Sequence, residues 1–163
     1  MAEAQPPTDP HTYNGGCHCG AVRYQVVLDR ANLQGGRCNC TICHKKGSLI
    51  FQVSESTVTL LKPASFTSPE LGDYTFGSGS AHHYFCKTCG VSMFAKSSYV
   101  LDGKAADFLT VNGLTIDQSV GDEGETEEEG KLDLSGVKVR YWNGLMNDWK
   151  GGLRDEPFPG GCL

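Results

Sequence analysis

The stretch Ala21-Val22-Arg23-Tyr24-Gln25-Val26-Val27-Leu28 decides the fold class of this chain. From Val22 to Leu28, a large apolar residue stands at every second position, so these side chains fall on one side of a period-two pattern. A strand with one buried face requires this alternation. The pattern therefore predicts that the folded part of the chain opens with β-structure.

Further runs of strand length, rich in β-branched and aromatic residues, follow along the chain. They lie at residues 49–53, 57–61, 74–76, 83–85, 91–95, 108–111 and 137–142. Gly, Ser, Pro and Asn separate these runs, and no window keeps helical apolar spacing over three turns. We therefore predict an all-β fold of short antiparallel strands.

The length of 163 residues is typical of one domain. We predict a flexible leader at residues 1–12, a folded domain at 13–150 and an irregular tail at 151–163, which is rich in Pro and Gly. The acidic run at 121–130 contains no apolar residue and cannot bury enough surface to become ordered. We interpret this run as a mobile, solvated loop.

Composition limits where the chain acts and what it binds. No apolar run approaches the roughly 20 residues that cross a bilayer, and the first residues, MAEAQPPTDPHT, lack the basic and apolar regions of a secretory signal. The net charge of −5 argues against general affinity for nucleic acid. We expect a soluble protein of the cytoplasm, with the nucleus as the alternative, that has small-molecule partners and binds neither nucleic acid nor membrane.

Three clusters hold all the cysteines except Cys162, which we interpret as a bystander. The clusters are Cys17-His18-Cys19-Gly20, Cys38-Asn39-Cys40-Thr41-Ile42-Cys43 and Cys86-Lys87-Thr88-Cys89-Gly90. In a reducing compartment, such thiols serve metal binding or chemistry rather than disulfides. A C-x-x-C turn before Gly commonly gives two ligands to tetrahedral zinc, as Cys86 and Cys89 would. The pair Cys17 and Cys19 would complete a closed, structural four-thiolate site.

The remaining trio is Cys38, Cys40 and Cys43, whose thiols can converge on one ion. Three protein ligands leave the fourth position of zinc open, which distinguishes catalytic from structural sites. Beside three thiolates, the natural incoming group is another sulfur, held deprotonated and directed at an electrophile. This trio therefore predicts a catalytic zinc that activates a thiol.

Other interpretations of the cysteines remain open at this point. All seven clustered cysteines could hold structural zinc, with a histidine completing the second site; the candidates are His18, His44, His82 and His83. Disulfides are disfavoured by the expected compartment. A redox C-x-x-C of thioredoxin type would need a βαβ context, which the β-rich pattern does not offer.

Three motifs together resemble the glutathione-dependent formaldehyde-activating enzyme family, which also contains centromere protein V. They are Gly15-Gly16-Cys17-His18-Cys19-Gly20-Ala21-Val22-Arg23-Tyr24, Cys38-Asn39-Cys40-Thr41-Ile42-Cys43 and Tyr84-Phe85-Cys86-Lys87-Thr88-Cys89-Gly90-Val91. The segment Val139-Arg140-Tyr141-Trp142-Asn143-Gly144 resembles the closing strand of many fungal-type members. The resemblance implies a small, zinc-stabilised β-tent fold. It also implies a structural zinc on Cys17, Cys19, Cys86 and Cys89, and a second, catalytic zinc on Cys38, Cys40 and Cys43.

The same resemblance implies a carbon–sulfur lyase that adds glutathione to formaldehyde. Where many members carry two arginines after the last cysteine of the trio, this chain has His44, Lys45 and Lys46. We predict His44 as a general acid or base, because a histidine titrates near neutral pH. Lys45 and Lys46 could neutralise glutathione carboxylates, although isolated basic residues are more often surface charges. The alternatives are a noncatalytic zinc-stabilised binding module and a related enzyme acting on a secondary metabolite.

Overall fold

The structure is a computed structural model that describes residues 6–101, 103–119, 129–148 and 150–161. Within these ranges the chain forms ten β-strands, one short α-helix and several 3-10 turns. The predicted all-β fold is confirmed. No helix in this part of the chain is long and apolar enough to cross a membrane.

The strands form one small and one large sheet. In chain order they are β1 (Pro10–Gly16), β2 (Arg23–Asp29), β3 (Gln34–Cys38), β4 (Ile50–Val53), β5 (Val58–Lys62), β6 (Leu71–Tyr74), β7 (Ala81–Cys86), β8 (Ser92–Leu101), β9 (Lys104–Asn112) and β10 (Lys138–Trp142), and α1 (Thr41–Lys46) follows β3. The small sheet has the order β1-β2-β5, and the large sheet has the order β10-β3-β4-β9-β8-β7-β6. Neighbouring strands are antiparallel, except that β10 pairs with β3 in parallel.

Strand β2 shows the alternation that the sequence predicts, and its buried face packs against the large sheet. Val22, Tyr24 and Val26 are fully buried. The ring of Tyr24 meets Phe94 of β8 edge-on, with 4.9 Å between ring centroids. The core therefore lies between the small sheet and the central strands of the large one.

The amino-terminal strand begins inside the segment predicted as a leader. Strand β1 starts at Pro10, which pairs with Asp29 of β2. The Asp29 carboxylate accepts hydrogen bonds from the backbone N–H of Thr8 at 2.9 Å and of Asp9 at 3.1 Å. The flexible leader predicted for residues 1–12 is therefore wrong for its last residues, because side-chain and ladder hydrogen bonds fix them; residues 1–5 lie outside the described ranges.

Strand β3, which leads into the cysteine trio, is not predicted from the sequence, because two of its five residues are glycines. A Cβ atom on Gly36 would lie 2.2 Å from the Trp142 ring, and one on Gly35 would lie 2.6 Å from Leu49. Both positions are buried beneath large neighbours. Glycine is required here for close packing, so β-propensity gives no signal.

Two predicted features fall partly outside the described residues. Residues 121–128 of the acidic run lie outside the described ranges, whereas the Gly130 carbonyl accepts a 2.7 Å hydrogen bond from the Asn14 backbone N–H. In the tail, the described residues 150–161 contain no helix or extended strand, and Arg154 forms an isolated bridge with Tyr141. Cys162 also lies outside the described residues. The mobility of the loop stays a prediction.

Candidate metal centres and the adjoining cavity

The turn after β1 brings Cys17 and Cys19 to the end of the small sheet. The Cys17 N–H donates to the Val22 carbonyl at 3.0 Å, and the Gly20 N–H donates to the Cys17 carbonyl at 3.2 Å. Gly20 has a φ of 75°, a left-handed conformation that side chains disfavour. The glycine after the C-x-C pair thus closes the turn that holds both sulfurs.

A turn of similar shape joins β7 to β8 and carries Cys86 and Cys89. The Cys86 N–H donates to the Val91 carbonyl at 3.0 Å, and the Gly90 N–H donates to the Cys86 carbonyl at 2.8 Å. Gly90 has a φ of 76°, close to the value at the first turn. The two sheets therefore present their cysteines from matching turns.

These two turns meet, and their sulfurs form the four-cysteine cluster, defined as Cys17, Cys19, Cys86 and Cys89. All four sulfurs lie within 4.8 Å of one another. The Sγ atoms of Cys17 and Cys19 are 3.5 Å apart, and those of Cys19 and Cys86 are 3.6 Å apart. Thiolates at about 2.3 Å from a tetrahedral ion lie about 3.8 Å apart, so the spacing fits zinc. An ion here would tie the small sheet to the large one.

The three-cysteine cluster, defined as Cys38, Cys40 and Cys43, lies where β3 passes into α1. Its sulfurs also lie within 4.8 Å of one another. Cys38 ends β3 and is 2% exposed, Cys40 is the extended residue before the helix, and Cys43 lies in the helix. The His44 N–H donates to the Cys40 carbonyl at 2.9 Å, which sets the helical turn. One tight strand-to-helix junction thus gathers three thiols.

Hydrogen bonds within the three-cysteine cluster divide its thiols electrostatically. Hydrogen bonds with Cys38 and Cys43 lower the pKa of Cys40. Hydrogen bonds with Cys38 and Cys40 raise the pKa of Cys43, as does its burial, and the hydrogen bond with Cys40 raises the pKa of Cys38. Among the three thiols, Cys40 therefore has the lowered pKa and gives up its proton most readily.

A cavity of about 450 Å³ opens beside the three-cysteine cluster. Cys40 and Cys43 line it, and most of its remaining wall is apolar, with Ile42, Met93 and Phe94 among its residues. No cysteine of the four-cysteine cluster is among the described residues that line it. Of the two clusters, the three-cysteine cluster is therefore the one that contributes described residues to the wall of this cavity.

The histidines differ in their position relative to this cavity. His83 of β7 is buried, lines the cavity and stacks on Phe76 with 5.7 Å between ring centroids. Burial, and then the nearby charge of Lys46, lowers the pKa of His83, which keeps its ring neutral near pH 7. His44, the predicted acid or base, is exposed and is not among the described lining residues. Its catalytic role stays a prediction.

The other histidines lie apart from the cavity wall. The His82 ring bonds to the Asp73 carboxylate, with 2.7 Å between Nδ1 and Oδ2, and His18 is exposed between the first two cysteines. His82 and His83 are consecutive in a strand, so their side chains point to opposite faces. The alternation shows that one of the two histidines faces inward, but it does not show which one. For this reason the sequence alone does not identify His83 as a residue of the cavity wall.

Two adjacent lysines that look alike in sequence have different surroundings. Lys45 is exposed. Lys46 lines the cavity, and its Nζ is buried without a hydrogen-bond partner among the described residues. Burial lowers the pKa of Lys46, although the neighbouring Cys43 opposes this effect. The interpretation of Lys46 as a surface charge is therefore wrong.

The structure brings together the same two sets of cysteines that the spacing grouped. None of these seven described cysteines is in a disulfide. Both sets could bind metal ions, because each gathers its sulfurs within the reach of one ion. The identity of the metal and the number of ions stay predictions.

Comparison with known proteins gives the family of the chain. An uncharacterised lyase of Schizosaccharomyces pombe is 26% identical over 113 residues, which are 66% of this chain and 77% of that protein. A crystal structure of a Rhodobacter sphaeroides protein is 27% identical, covers 69% of this chain and 90% of that one, and superposes with a TM-score of 0.49. The model of the glutathione-dependent formaldehyde-activating enzyme family matches residues 12–128. The chain therefore belongs to the glutathione-dependent formaldehyde-activating enzyme family.

Proposed function

We propose that this protein is a zinc-dependent carbon–sulfur lyase that activates a thiol, glutathione, for addition to or release from a small carbonyl compound. The observation that carries the proposal is the opening of Cys40 and Cys43 onto a cavity. Membership of the family and the lyase name of the yeast relative support it. The four-cysteine cluster would hold a structural zinc, and the three-cysteine cluster a catalytic one.

The chemistry requires no oxidant or reductant. In the addition direction, the thiol gives up its S–H proton, its sulfur forms a bond to the carbonyl carbon, the π electrons move to oxygen, and oxygen takes up one proton, so that no net proton is gained or lost. Cleavage reverses these changes and returns the thiol and the carbonyl compound. Zinc bound by the three cysteines would supply a Lewis acid that keeps an incoming thiol deprotonated at neutral pH.

The residues of the chain would divide the remaining tasks among them. Cys38, Cys40 and Cys43 would hold the ion rather than attack the substrate, because each thiolate is needed as a ligand. The apolar cavity wall would exclude water from the reacting groups. His83, kept neutral by burial, would take the hydroxyl proton in cleavage and return it in addition. His44 remains the alternative proton carrier.

The test is metal content measured together with exchange between formaldehyde and its glutathione adduct, followed by exchange NMR. We expect about two zinc ions per chain and an exchange rate above that of the uncatalysed mixture. In Cys40→Ser, zinc should fall by one ion and the acceleration should disappear. Loss of acceleration with zinc fully retained would instead indicate a cysteine nucleophile. No acceleration by zinc-loaded wild type on any adduct would favour a noncatalytic binding module.

A further inference from the structure

The cavity beside the three-cysteine cluster has only one cationic group for a ligand. Among its described lining residues, Lys46 is the only Lys or Arg, and none is Asp or Glu. Glutathione carries two carboxylates and an ammonium group, for which this space offers a single charged partner. The peptide part of glutathione therefore belongs outside the cavity, and its interior is left for the carbonyl partner.

Apolar side chains that are exposed to solvent also lie on or next to the cavity wall. Phe76 and Val100 line the cavity, yet they are 49% and 72% exposed. Leu145 and Met146, which are 57% and 72% exposed, immediately precede Asn147, another lining residue. Exposed apolar side chains gathered around a cavity mark a surface that contacts an apolar ligand.

The size of the cavity exceeds what formaldehyde requires. Its volume of about 450 Å³ lies within the range of roughly 300–1,000 Å³ that is typical of sites for drug-sized ligands. A one-carbon aldehyde would leave most of the apolar wall without contacts. The space suits a carbonyl compound of ring size or larger.

Lys46 adds a requirement for negative charge. Its buried Nζ lacks a hydrogen-bond partner among the described residues, and a buried ammonium without a partner is unfavourable. Because Lys46 lines the cavity, rotation of its flexible side chain would bring the ammonium to an acceptor oxygen on the ligand. A carboxylate would satisfy this group best, because hydrogen bonds between charged partners are the strongest.

We propose, on the basis of the function proposed above, that the cavity takes an aromatic carbonyl compound carrying one carboxylate, which the Lys46 ammonium binds. The carbonyl carbon would lie toward Cys40 and Cys43, where the thiol is activated. The ring would contact the apolar wall, and the exposed side chains of Phe76 and Val100 would cover its outer edge. Formaldehyde is then a poor substrate for this member of the family.

The binding test uses zinc-loaded protein and isothermal titration calorimetry with naphthalene-2-carboxylate, naphthalene-2-carboxamide and acetate. We expect the carboxylate to bind at least tenfold more tightly than the carboxamide, and acetate not to bind measurably. Lys46→Met should remove the preference for the carboxylate, whereas the matched control Lys45→Met should keep it. Phe76→Ser should weaken both naphthalene probes by a similar factor.

A preference that survives in Lys46→Met would overturn the proposal, because the carboxylate would then bind elsewhere, the zinc included. Equal binding of all three probes, or of none, would overturn it as well. Circular dichroism of each variant shows whether it is folded. Should Lys46→Met fail to fold, Lys46→Gln replaces it, and the comparison of probes on wild type still decides the charge preference.

A rate measurement separates this proposal from the proposed function. Exchange NMR with glutathione should give at least tenfold higher kcat/KM for 4-formylbenzoate than for formaldehyde. Acceleration of formaldehyde alone would overturn the substrate assignment and leave the lyase function standing. Tight binding of the carboxylate probe with no acceleration of either aldehyde would overturn the lyase function and support the binding site.

Discussion

The two cysteine clusters use the same ligand atoms in different surroundings. The four-cysteine cluster lies between two turns from different sheets, and none of its cysteines lines the described cavity. The three-cysteine cluster comes from one strand-to-helix junction, and two of its members line that cavity. The comparison shows that the position of a cysteine cluster in the fold, rather than its ligand atoms, decides whether it links two sheets or faces a ligand cavity.

The cysteines of one cluster are far apart in sequence and those of the other are close together, so loss of the ion should affect the stability of the fold differently at the two clusters. An ion shared by Cys19 and Cys86 closes a loop across the domain, so its loss releases two sheets. An ion on the three-cysteine cluster constrains only residues 38–43, which β3 and α1 already hold. Folding should depend on the first cluster, and chemistry should depend on the second.

The largest effect is expected from Cys89→Ser. This change removes one thiolate from the four-cysteine cluster, where zinc binding is typically worth about 10–16 kcal/mol and is part of the folding free energy. That value is comparable to the whole stability of a domain, so little folded protein should be recovered. Soluble yield and circular dichroism measure the outcome.

Thr88→Ser is the matched control, since it changes an exposed residue of the same turn and should fold normally. Full recovery of folded Cys89→Ser protein with one zinc per chain would contradict a structural role for this cluster. Cys162→Ser should be silent, because that cysteine belongs to none of the three sequence motifs that supply the clusters.

The second prediction concerns Cys43→Ser. We expect one zinc to be lost and turnover to fall by at least about 10²-fold, because the group that activates the thiol is gone. The melting temperature should fall by only a few degrees, since the junction keeps its backbone hydrogen bonds. Metal content, exchange NMR and thermal denaturation check the three parts. Unfolding of Cys43→Ser would make this cluster structural too and remove the contrast.

The third prediction compares His83 and His44 as the candidate proton carriers near the three-cysteine cluster. His83→Gln should lower kcat by about 10²-fold with zinc content unchanged, because positioned proton transfer typically contributes 10²–10⁴-fold. His44→Gln, at an exposed position on α1, should stay within a few-fold of wild type. The reverse ranking would return the acid–base role to His44, as the sequence predicts.

The smallest effect is expected at a noncovalent link between the sheets. The Thr115 hydroxyl donates to the Asn112 carbonyl at 2.7 Å, so it accepts the 2.7 Å hydrogen bond from the Tyr24 hydroxyl. Tyr24→Phe removes that bond and should cost about 1 kcal/mol. Urea denaturation measures it, with Tyr74→Phe at a 48% exposed site as the control. A loss as large as that from Cys89→Ser would mean that the cluster is not the main link.

Much of the fold was predictable where the pattern of apolar residues in the sequence reflects which side chains are buried. Strand β2 follows its alternation, and the runs at 49–53 and 137–142 correspond to β4 and β10. The predicted run at 74–76 overlaps strand β6 only at Tyr74, where that strand ends. The prediction was displaced because Phe76 is apolar in sequence but is exposed and lies beyond the strand. Strand β3 and its parallel pairing with β10 depend on long-range contacts over glycine, which leave no local pattern.

The candidate site divides in the same way. Short spacing indicated which neighbouring cysteines would lie together in one turn, whereas the meeting of the turn at Cys17 with the turn at Cys86 is a long-range contact. The position of His83 and the burial of Lys46 Nζ depend on how β7 and α1 pack around the cavity. No property of the sequence near either residue reports that packing.

The most direct measurement of the central claim is a chelator titration that follows zinc release and circular dichroism together. We predict two stages: one ion leaves first, with catalysis lost and the β-structure retained, and the second leaves only as the chain unfolds. The first stage should be absent in Cys43→Ser. Release of both ions in one cooperative step with unfolding would contradict the division of the two clusters into a structural and a catalytic site.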